Sequence, residues 1–94
     1  MSYSLRISQD AEKEWGDLDK PIREQFKKKL EERLDAPRVE KDRLSGMKDC
    51  YKIKLRSAGF RLVYRVYDEE LEILVIAVGK RERNRVYKTA AKRL

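Results

Sequence analysis

The chain has 94 residues, of which 40% are hydrophobic and 44% charged, and its formal net charge is +7. This length suits one small domain spanning residues 1–94. A chain with one cysteine and no histidine excludes an intrachain disulfide, the usual zinc sites and histidine-dependent nucleophiles. The whole positive excess lies in residues 51–94, which hold 12 basic and 5 acidic side chains, a bias typical of proteins that bind nucleic acid or an acidic partner.

Nothing in the sequence indicates a membrane or an export signal. No apolar run is long enough to span a bilayer, and the N-terminal MSYSLRI lacks a signal-peptide pattern. We therefore expect a cytoplasmic protein without a membrane partner, in which Cys50 is a buried free thiol.

The first half of the chain predicts a strand followed by two helices. Apolar and polar residues alternate over residues 3–8, which indicates a short strand. Ser8 and Asp19 are suitable N-cap residues for the helices, and Pro37 ends the second one. The predicted apolar stripes are Ala11, Trp15 and Leu18 in the first helix and Ile22, Phe26, Leu30 and Leu34 in the second.

The second helix also carries three consecutive lysines, Lys27, Lys28 and Lys29. These side chains either contact RNA phosphates or form a solvated face that Glu24 and the pair at 31–32 balance.

Residues 50–67, CYKIKLRSAGFRLVYRVY, predict a β-hairpin because apolar and polar residues alternate on both sides of a Ser-Ala-Gly break. This interpretation places Leu55 opposite Leu62 and Ile53 opposite Tyr64. The other face is cationic and consists of Lys52, Lys54, Arg56, Arg61 and Arg65. Like charges facing each other on a sheet are destabilising, so this face favours binding of a polyanion.

Residues 71–78, LEILVIAV, predict a strand that is apolar on both faces and must be covered on both. The two helices cover one face. A C-terminal helix capped by Asn84 covers the other, over Leu74, Ile76 and Val78, with a stripe formed by Tyr87, Ala91 and Leu94. The element order β-α-α-β-β-β-α predicts an α+β fold: an antiparallel-type sheet with an N-terminal α-hairpin on one face and a short C-terminal helix.

The cationic face suits one reaction in particular, which is cleavage of RNA by its own 2′-hydroxyl. The substrate supplies the nucleophile, and guanidinium and ammonium groups stabilise the charge of the transition state. Neighbouring cations lower the pKa of a lysine, which makes Lys54 a candidate base. On residue types alone, phosphate binding without catalysis stays open, and Tyr87 is either a base-stacking residue or part of the core.

Four stretches of the sequence resemble the RelE toxins of bacterial and archaeal toxin–antitoxin modules, within the RelE/ParE superfamily. These are KEW at 13–15, REQFKKKLEE at 23–32, GMKDCYKIKLRSAGFRLVYRV at 46–66 and VGKRERNRVY at 78–87. The resemblance implies a RelE-like fold and a type II toxin that cleaves mRNA in the ribosomal A site without a metal or other cofactor.

The same resemblance assigns the reactive positions to Lys52, Lys54, Arg61, Arg81 and Tyr87. It implies that Lys54 is the base, that Arg61 stabilises the phosphate, and that Arg81 either protonates the leaving oxygen or stabilises its charge. Contacts with substrate or ribosome are expected from Arg56, Arg65, Lys80, Arg83, Lys27, Lys28 and Lys29. The implied partners are mRNA, the 16S rRNA of the ribosome and a cognate RelB-like antitoxin.

Two alternatives are a ParE-like toxin that acts on DNA gyrase without nuclease activity and a non-catalytic RNA-binding module. ParE-like relatives generally lack this set of lysine, arginine and tyrosine residues, which argues against the first alternative.

Overall fold

The computed structural model describes residues 3–94, which form four β-strands, three α-helices and one short 3-10 helix in the expected order. The elements are β1 (Ser4–Ile7), α1 (Gln9–Gly16), α2 (Lys20–Asp35), the 3-10 helix (Glu40–Asp42), β2 (Cys50–Leu55), β3 (Phe60–Tyr67), β4 (Glu72–Lys80) and α3 (Arg85–Arg93). None of the helices within these residues is long and apolar enough to cross a membrane.

The strands form one sheet in the order β1-β4-β3-β2. The pairs β2–β3 and β3–β4 are antiparallel, whereas β1 runs parallel to β4. The sheet is therefore mixed, and the expectation of an antiparallel-type sheet was correct for three of its strands only. Consecutive strands joined by tight turns must be antiparallel, but β1 is separated from its partner by most of the chain and is under no such constraint.

The β2–β3 hairpin forms as predicted but in a register that differs by two residues. Leu55 pairs with Phe60, Ile53 with Leu62 and Lys54 with Arg61. The connection consists of residues 56–59, and it closes there because Gly59 adopts φ +73° and its N–H donates to the carbonyl of Leu55 at 2.8 Å. A shift of two residues keeps every side chain on its predicted face.

A β-bulge interrupts β4 beside β3. Val63 pairs with Ala77 and Tyr64 with Val75, so that Ile76 is an extra residue in β4. The bulge changes the alternation of side chains along the strand. As a result, Ile76 faces α3 as predicted, but Val78 lies on the α1–α2 side, where the sequence pattern had not placed it.

Two apolar clusters cover the two faces of the sheet, as the sequence indicates. The larger one lies between the sheet and α1–α2 and includes Phe26, Leu30, Ile53, Leu62 and Tyr64. The smaller one lies under α3 and consists of Cys50, Val63, Ile76, Ala77, Val86 and Ala90. The helical stripe of α3 is therefore Val86, Tyr87 and Ala90, because Ala91 and Leu94 are exposed.

The helix ends agree with the sequence in position. Ser8 caps α1, and its side chain accepts a hydrogen bond from the Ala11 N–H at 3.2 Å. Asp19 and Asn84 occupy the N-cap positions of α2 and α3, but neither side chain makes a capping hydrogen bond within residues 3–94. The start of α3 is thus held by tertiary contacts and not by its cap.

Candidate functional site

A cleft of about 240 Å³ opens where the edge of the β2–β3 hairpin meets the N-terminal turn of α3. Its walls come from three parts of the chain: β2 and β3, the turn after β4, and the first residues of α3. The lining residues are Lys52, Lys54, Arg61, Lys80, Arg81, Glu82, Asn84, Arg85, Val86 and Tyr87. All five residues predicted to be reactive, and Lys80 from the wider set, therefore line one cleft.

The hairpin register crowds the cations of the cleft together. Lys54 lies directly opposite Arg61 across the β2–β3 pair, and Lys52 projects from the same face two residues away. The positive charge of Lys52 lowers the pKa of Lys54 below its ordinary value, and desolvation, Arg56 and Arg61 lower it further. The neutral, proton-accepting form of Lys54 is therefore favoured relative to a free lysine.

Arg61 is the buried charge of the site. Only 8% of the residue is exposed, and its Nη1 donates to the carbonyl of Phe60 at 3.0 Å. None of the ion pairs found within residues 3–94 includes it. A buried guanidinium without a carboxylate partner is costly, and an anion bound beside it lowers that cost.

The turn between β4 and α3 brings Arg81 to the hairpin. The Arg81 N–H donates to the carbonyl of Gly59 at 2.7 Å, which attaches this turn to the β2–β3 connection. Two residues later the backbone enters the left-handed region at Arg83, φ 44°, and at Asn84, φ 61°. These conformations are costly for residues other than glycine, and here they direct α3 back across the sheet.

Tyr87 contributes its ring to the cleft but not its hydroxyl. The ring packs against the cluster under α3, and the Tyr87 Oη is buried without a hydrogen-bond partner in the described part of the chain. In this conformation the side chain offers a surface for stacking and cannot donate a proton to a bound ligand.

A polar network holds β2 in place, and the sequence did not predict it. Arg33 Nη2 donates to Asp42 Oδ2 at 2.7 Å, and Arg33 Nη1 donates to Tyr64 Oη at 2.8 Å and to the Lys52 carbonyl at 3.3 Å. Tyr64 Oη in turn donates to the carbonyl of Pro37 at 2.6 Å. The network fixes the backbone of Lys52, and residues so far apart in the chain give no sequence signal of it.

Four further lining residues were not predicted as site residues: Glu82, Asn84, Arg85 and Val86. The first three belong to the dense basic turn GKRERNR at 79–85, which was the available signal. Glu82 is the one carboxylate among the described lining residues, and it pairs with Arg85 at 3.7 Å.

The other residues predicted to contact substrate or ribosome fall on separate surfaces. Arg56 and Lys29 line a groove of about 810 Å³ that shares Lys52 and Lys54 with the cleft. Arg83 lines a shallow depression with Arg81 and Lys88.

The remaining three predicted residues lie away from the cleft. Lys27 borders an apolar groove lined by Leu5, Ile7, Trp15, Leu30 and Leu34. Lys28 is exposed on α2 and lines neither groove among the described residues. Arg65 does not line the cleft, because its guanidinium lies 5.1 Å from the centre of the Tyr67 ring.

The described residues contain no group of three or more His, Cys, Asp or Glu side chains able to hold a metal ion. Cys50 is fully buried, and burial raises the pKa of its thiol to about 11. The expected free and buried thiol is thus confirmed, and its ordinary reactivity is suppressed.

Two comparisons with known proteins both find similarity to toxins. Residues 5–85 match the family model described as the ParE toxin of the type II toxin–antitoxin system parDE. The mRNA interferase toxin RelE of Escherichia coli K12 is 56% identical over 94 residues, which cover 100% of this chain and 99% of that protein.

Solved structures of similar toxins have the same fold. A mutant of the E. coli toxin RelE in the free state has a TM-score of 0.92 at 54% identity, covering 100% of this chain and 99% of the other. The toxin in the intact E. coli RelBE toxin–antitoxin complex has a TM-score of 0.84 at 56% identity, covering 87% of this chain and 100% of the other.

Proposed function

This chain belongs to the RelE toxin family, and from that membership and the cationic cleft we propose that it is an mRNA interferase. In this proposal it is the toxin of a type II toxin–antitoxin module that acts in the cytoplasm. It cleaves mRNA in the ribosomal A site and thereby inhibits translation. The 56% identity to an mRNA interferase toxin over the whole chain supports the assignment.

The observation that carries the proposal is the buried guanidinium of Arg61. It lies opposite Lys54, and within residues 3–94 it has no ion-pair partner. A site that keeps two cations face to face is unfavourable until an anion lies between them. An RNA phosphate has the charge and the acceptor oxygens that such a pair binds.

The proposed reaction breaks the RNA strand by transferring a phosphate to the neighbouring 2′-oxygen of the same RNA. The 2′-oxygen of the ribose forms a bond to the adjacent phosphorus while the bond to the 5′-oxygen of the next nucleotide breaks. The products are a 2′,3′-cyclic phosphate and a free 5′-hydroxyl. Lys54 takes the proton of the 2′-hydroxyl, the leaving 5′-oxygen takes a proton from solvent, and Lys54 then returns its proton to solvent, so the step consumes no water and needs no resident cofactor.

Lys54 is the proposed base, supported by Lys52, whose charge lowers the pKa of Lys54. Arg61 and Arg81 bind the phosphate oxygens and stabilise the negative charge that grows in the transition state. For Arg81 we favour charge stabilisation over proton donation, because a guanidinium keeps its proton in proteins. Tyr87 acts through its ring, which stacks on a base.

The ribosome is the proposed partner that presents the message. The groove containing Lys29 and Arg56 adjoins the cleft and shares Lys52 and Lys54 with it, so a phosphate backbone that leaves the cleft meets further positive charge there. Lys80 and Arg83 extend the positive surface on the other side. We assign these residues to contacts with mRNA and 16S rRNA.

A RelB-like antitoxin is the proposed inhibitor. The solved E. coli RelBE complex supports this partner. On this chain the apolar groove between β1, α1 and α2, which includes Trp15 and the exposed Leu5, offers a surface for an amphipathic segment.

The ParE-like alternative has one observation in its favour, which is the name of the matching family model. The shared cleft of lysine, arginine and tyrosine residues supports the nuclease instead, because blocking gyrase needs no cationic cleavage site.

One assay separates the nuclease from both alternatives. A defined message is translated in a purified system, and primer extension maps cuts in the A-site codon. Wild-type protein should cut, whereas Lys54→Ala and Arg81→Ala should remain folded and cut at least about a hundredfold more slowly. Lys20→Ala, which removes an exposed lysine outside the cleft, is the matched control and should cut normally.

Two outcomes would contradict the proposal. An intact message with wild-type protein would indicate a non-nuclease toxin or a simple RNA-binding module. Loss of cutting when a chelator is present at a magnesium level that keeps the ribosome intact would overturn the metal-independent mechanism.

A further inference from the structure

An ion pair at the far end of α3 links this helix to α1. Arg93 Nη1 donates to Glu14 Oε1 at 2.9 Å, and Arg93 Nη2 donates to Glu14 Oε2 at 3.0 Å. The two planar groups thus meet with two parallel hydrogen bonds, which is the strong geometry of an arginine–carboxylate pair. Both side chains are largely covered, with 24% of Arg93 and 31% of Glu14 exposed.

The pair also completes the edge of β4. The last pair between β1 and β4 in the described structure is Ile7 with Val75, so β4 continues beyond its neighbour. Arg93 Nη1 donates to the Ile76 carbonyl at 2.8 Å, and the Val78 N–H donates to Glu14 Oε1 at 3.1 Å. A carbonyl and an N–H two residues apart are the groups that a further residue of a parallel strand would bind. Glu14 and Arg93 together replace that residue.

This arrangement gives α3 an attachment that its other contacts do not supply. A helix of nine residues is marginal by itself in water, and the cap residue Asn84 makes no side-chain hydrogen bond to the start of α3 within residues 3–94. The buried apolar residues of α3 are the small Val86 and Ala90. At the C-terminal end, Ala91, Lys92 and Leu94 are exposed and Arg93 alone in that turn is partly buried.

The same helix carries Tyr87 into the cleft. Arg93 lies six positions after Tyr87, which corresponds to about 9 Å along the helix axis. A cavity of about 300 Å³ between α1, β4 and α3, bordered by Glu14 and Val86, leaves room for α3 to tilt when its far end is released. A tilt of this kind moves Tyr87 relative to the cations of β2 and β3, which belong to the sheet.

We propose that Glu14 and Arg93 are positioning residues for RNA cleavage, which hold α3 on the edge of β4 and so keep Tyr87 in the cleft. The inference rests on the proposed function, because cleavage is its readout. Neither residue lines the cleft, so neither is placed to contact a phosphate bound there. Their effect on cleavage passes through Tyr87.

A double-mutant cycle tests this route. Cleavage of a ribosome-bound message is measured in single turnovers at saturating toxin for the wild type, Arg93→Ala, Tyr87→Ala and the double variant. We expect Arg93→Ala to lower the maximal rate about ten- to a hundredfold, and to have less than about a twofold further effect in the Tyr87→Ala background. Lys92→Ala, which removes the neighbouring exposed charge, should stay within about twofold of wild type.

A conservative variant and a charge exchange test the geometry of the Glu14–Arg93 pair further. Arg93→Lys keeps the charge but loses the planar fork, so its rate should lie between those of wild type and Arg93→Ala. A charge exchange, Glu14→Arg with Arg93→Glu, should not restore the rate, because the carbonyl of Ile76 and the N–H of Val78 keep their polarity.

Amide hydrogen exchange provides a second measurement that does not depend on residual activity. In Arg93→Ala, amides of residues 88–93 should exchange at least about tenfold faster than in wild type, while those of β3, and of β4 apart from Val78, keep their protection. Unchanged protection of α3, or equal effects of Arg93→Ala with and without Tyr87, would refute the positioning role. Failure of wild-type protein to cut would instead refute the proposed function.

Discussion

The buried hydroxyl of Tyr87 makes a sharp prediction about stability. Its oxygen is shielded from solvent and has no hydrogen-bond partner within residues 3–94, and a buried unpaired polar group costs about 1–3 kcal/mol. Tyr87→Phe removes the oxygen and leaves the ring in the cluster under α3. We expect this variant to be more stable than wild type by about 1 kcal/mol, which for a domain of this size raises the Tm by about 4–8 °C.

Tyr64→Phe is the matched control for that change. The Tyr64 hydroxyl donates to the Pro37 carbonyl at 2.6 Å and accepts from Arg33 at 2.8 Å. Its removal takes the donor from the Pro37 carbonyl and one of the acceptors from Arg33, so the free energy of unfolding should fall by about 1–3 kcal/mol. Urea or thermal unfolding of the two variants therefore gives shifts of opposite sign.

Cleavage by the Tyr87 variants tests how the side chain works. If Tyr87 acts through its ring, Tyr87→Phe should cut the ribosome-bound message within about threefold of the wild-type rate, whereas Tyr87→Ala should be at least about tenfold slower. A destabilised Tyr87→Phe would show that the hydroxyl has a partner in solution. A Tyr87→Phe as slow as Tyr87→Ala would show that the hydroxyl contacts the substrate, and either result would refute the reasoning.

Three further measurements follow from the structure. Lys52→Ala removes the main cause of the lowered pKa of Lys54. The pKa of Lys54 should therefore rise, and the pH–rate profile of cleavage should move to higher pH. An unmoved profile would exclude Lys54 as the base. Cys50, with a pKa of about 11, should resist iodoacetamide at pH 8 in native protein and react on unfolding, as mass spectrometry would show. A Cβ on Gly79 would lie 3.2 Å from Val86 Cγ2, so Gly79→Ala should displace α3 slightly and slow cleavage severalfold with little loss of stability; an unchanged rate would show that the position of α3 is not critical.

Much of the fold could be predicted because it depends on local patterns. The alternation in β2 and β3, the four-residue spacing of the α2 stripe and the N-cap Ser8 each specify an element from neighbouring residues alone. The hairpin register and the bulge at Ile76 could not be predicted in this way. The register depends on the left-handed conformation of Gly59, and the bulge depends on how β4 packs against α1–α2 and against α3 at the same time. For both features, the expected and the observed arrangements satisfy the same apolar pattern.

The functional site likewise has a part that local patterns predict and a part that they do not. Lys52, Lys54 and Arg61 share a sheet face, so alternation alone brings them together, and Arg81 follows from the basic turn beside that face. Arg65 obeys the same alternation, yet it lies at the other end of β3, beside Cys50 and Tyr67, because strand length separates residues that periodicity groups. Contacts between distant segments, such as Glu14 with Arg93, have no periodic signal at all.

The composition of the cleft explains why a scaffold is required for cleavage. The pKa of Lys54 is lowered towards use as a base, and the one carboxylate among the described lining residues, Glu82, is paired with Arg85. Cations of this kind stabilise a transition state but do not align the 2′-oxygen with the bond that breaks. Correct alignment of reacting groups is worth effective concentrations of about 10⁵–10⁸ M, and an open cleft of about 240 Å³ does not surround a flexible RNA closely enough to impose this alignment. The alignment must therefore come from a partner that holds the message, and in the proposed function that partner is the ribosome.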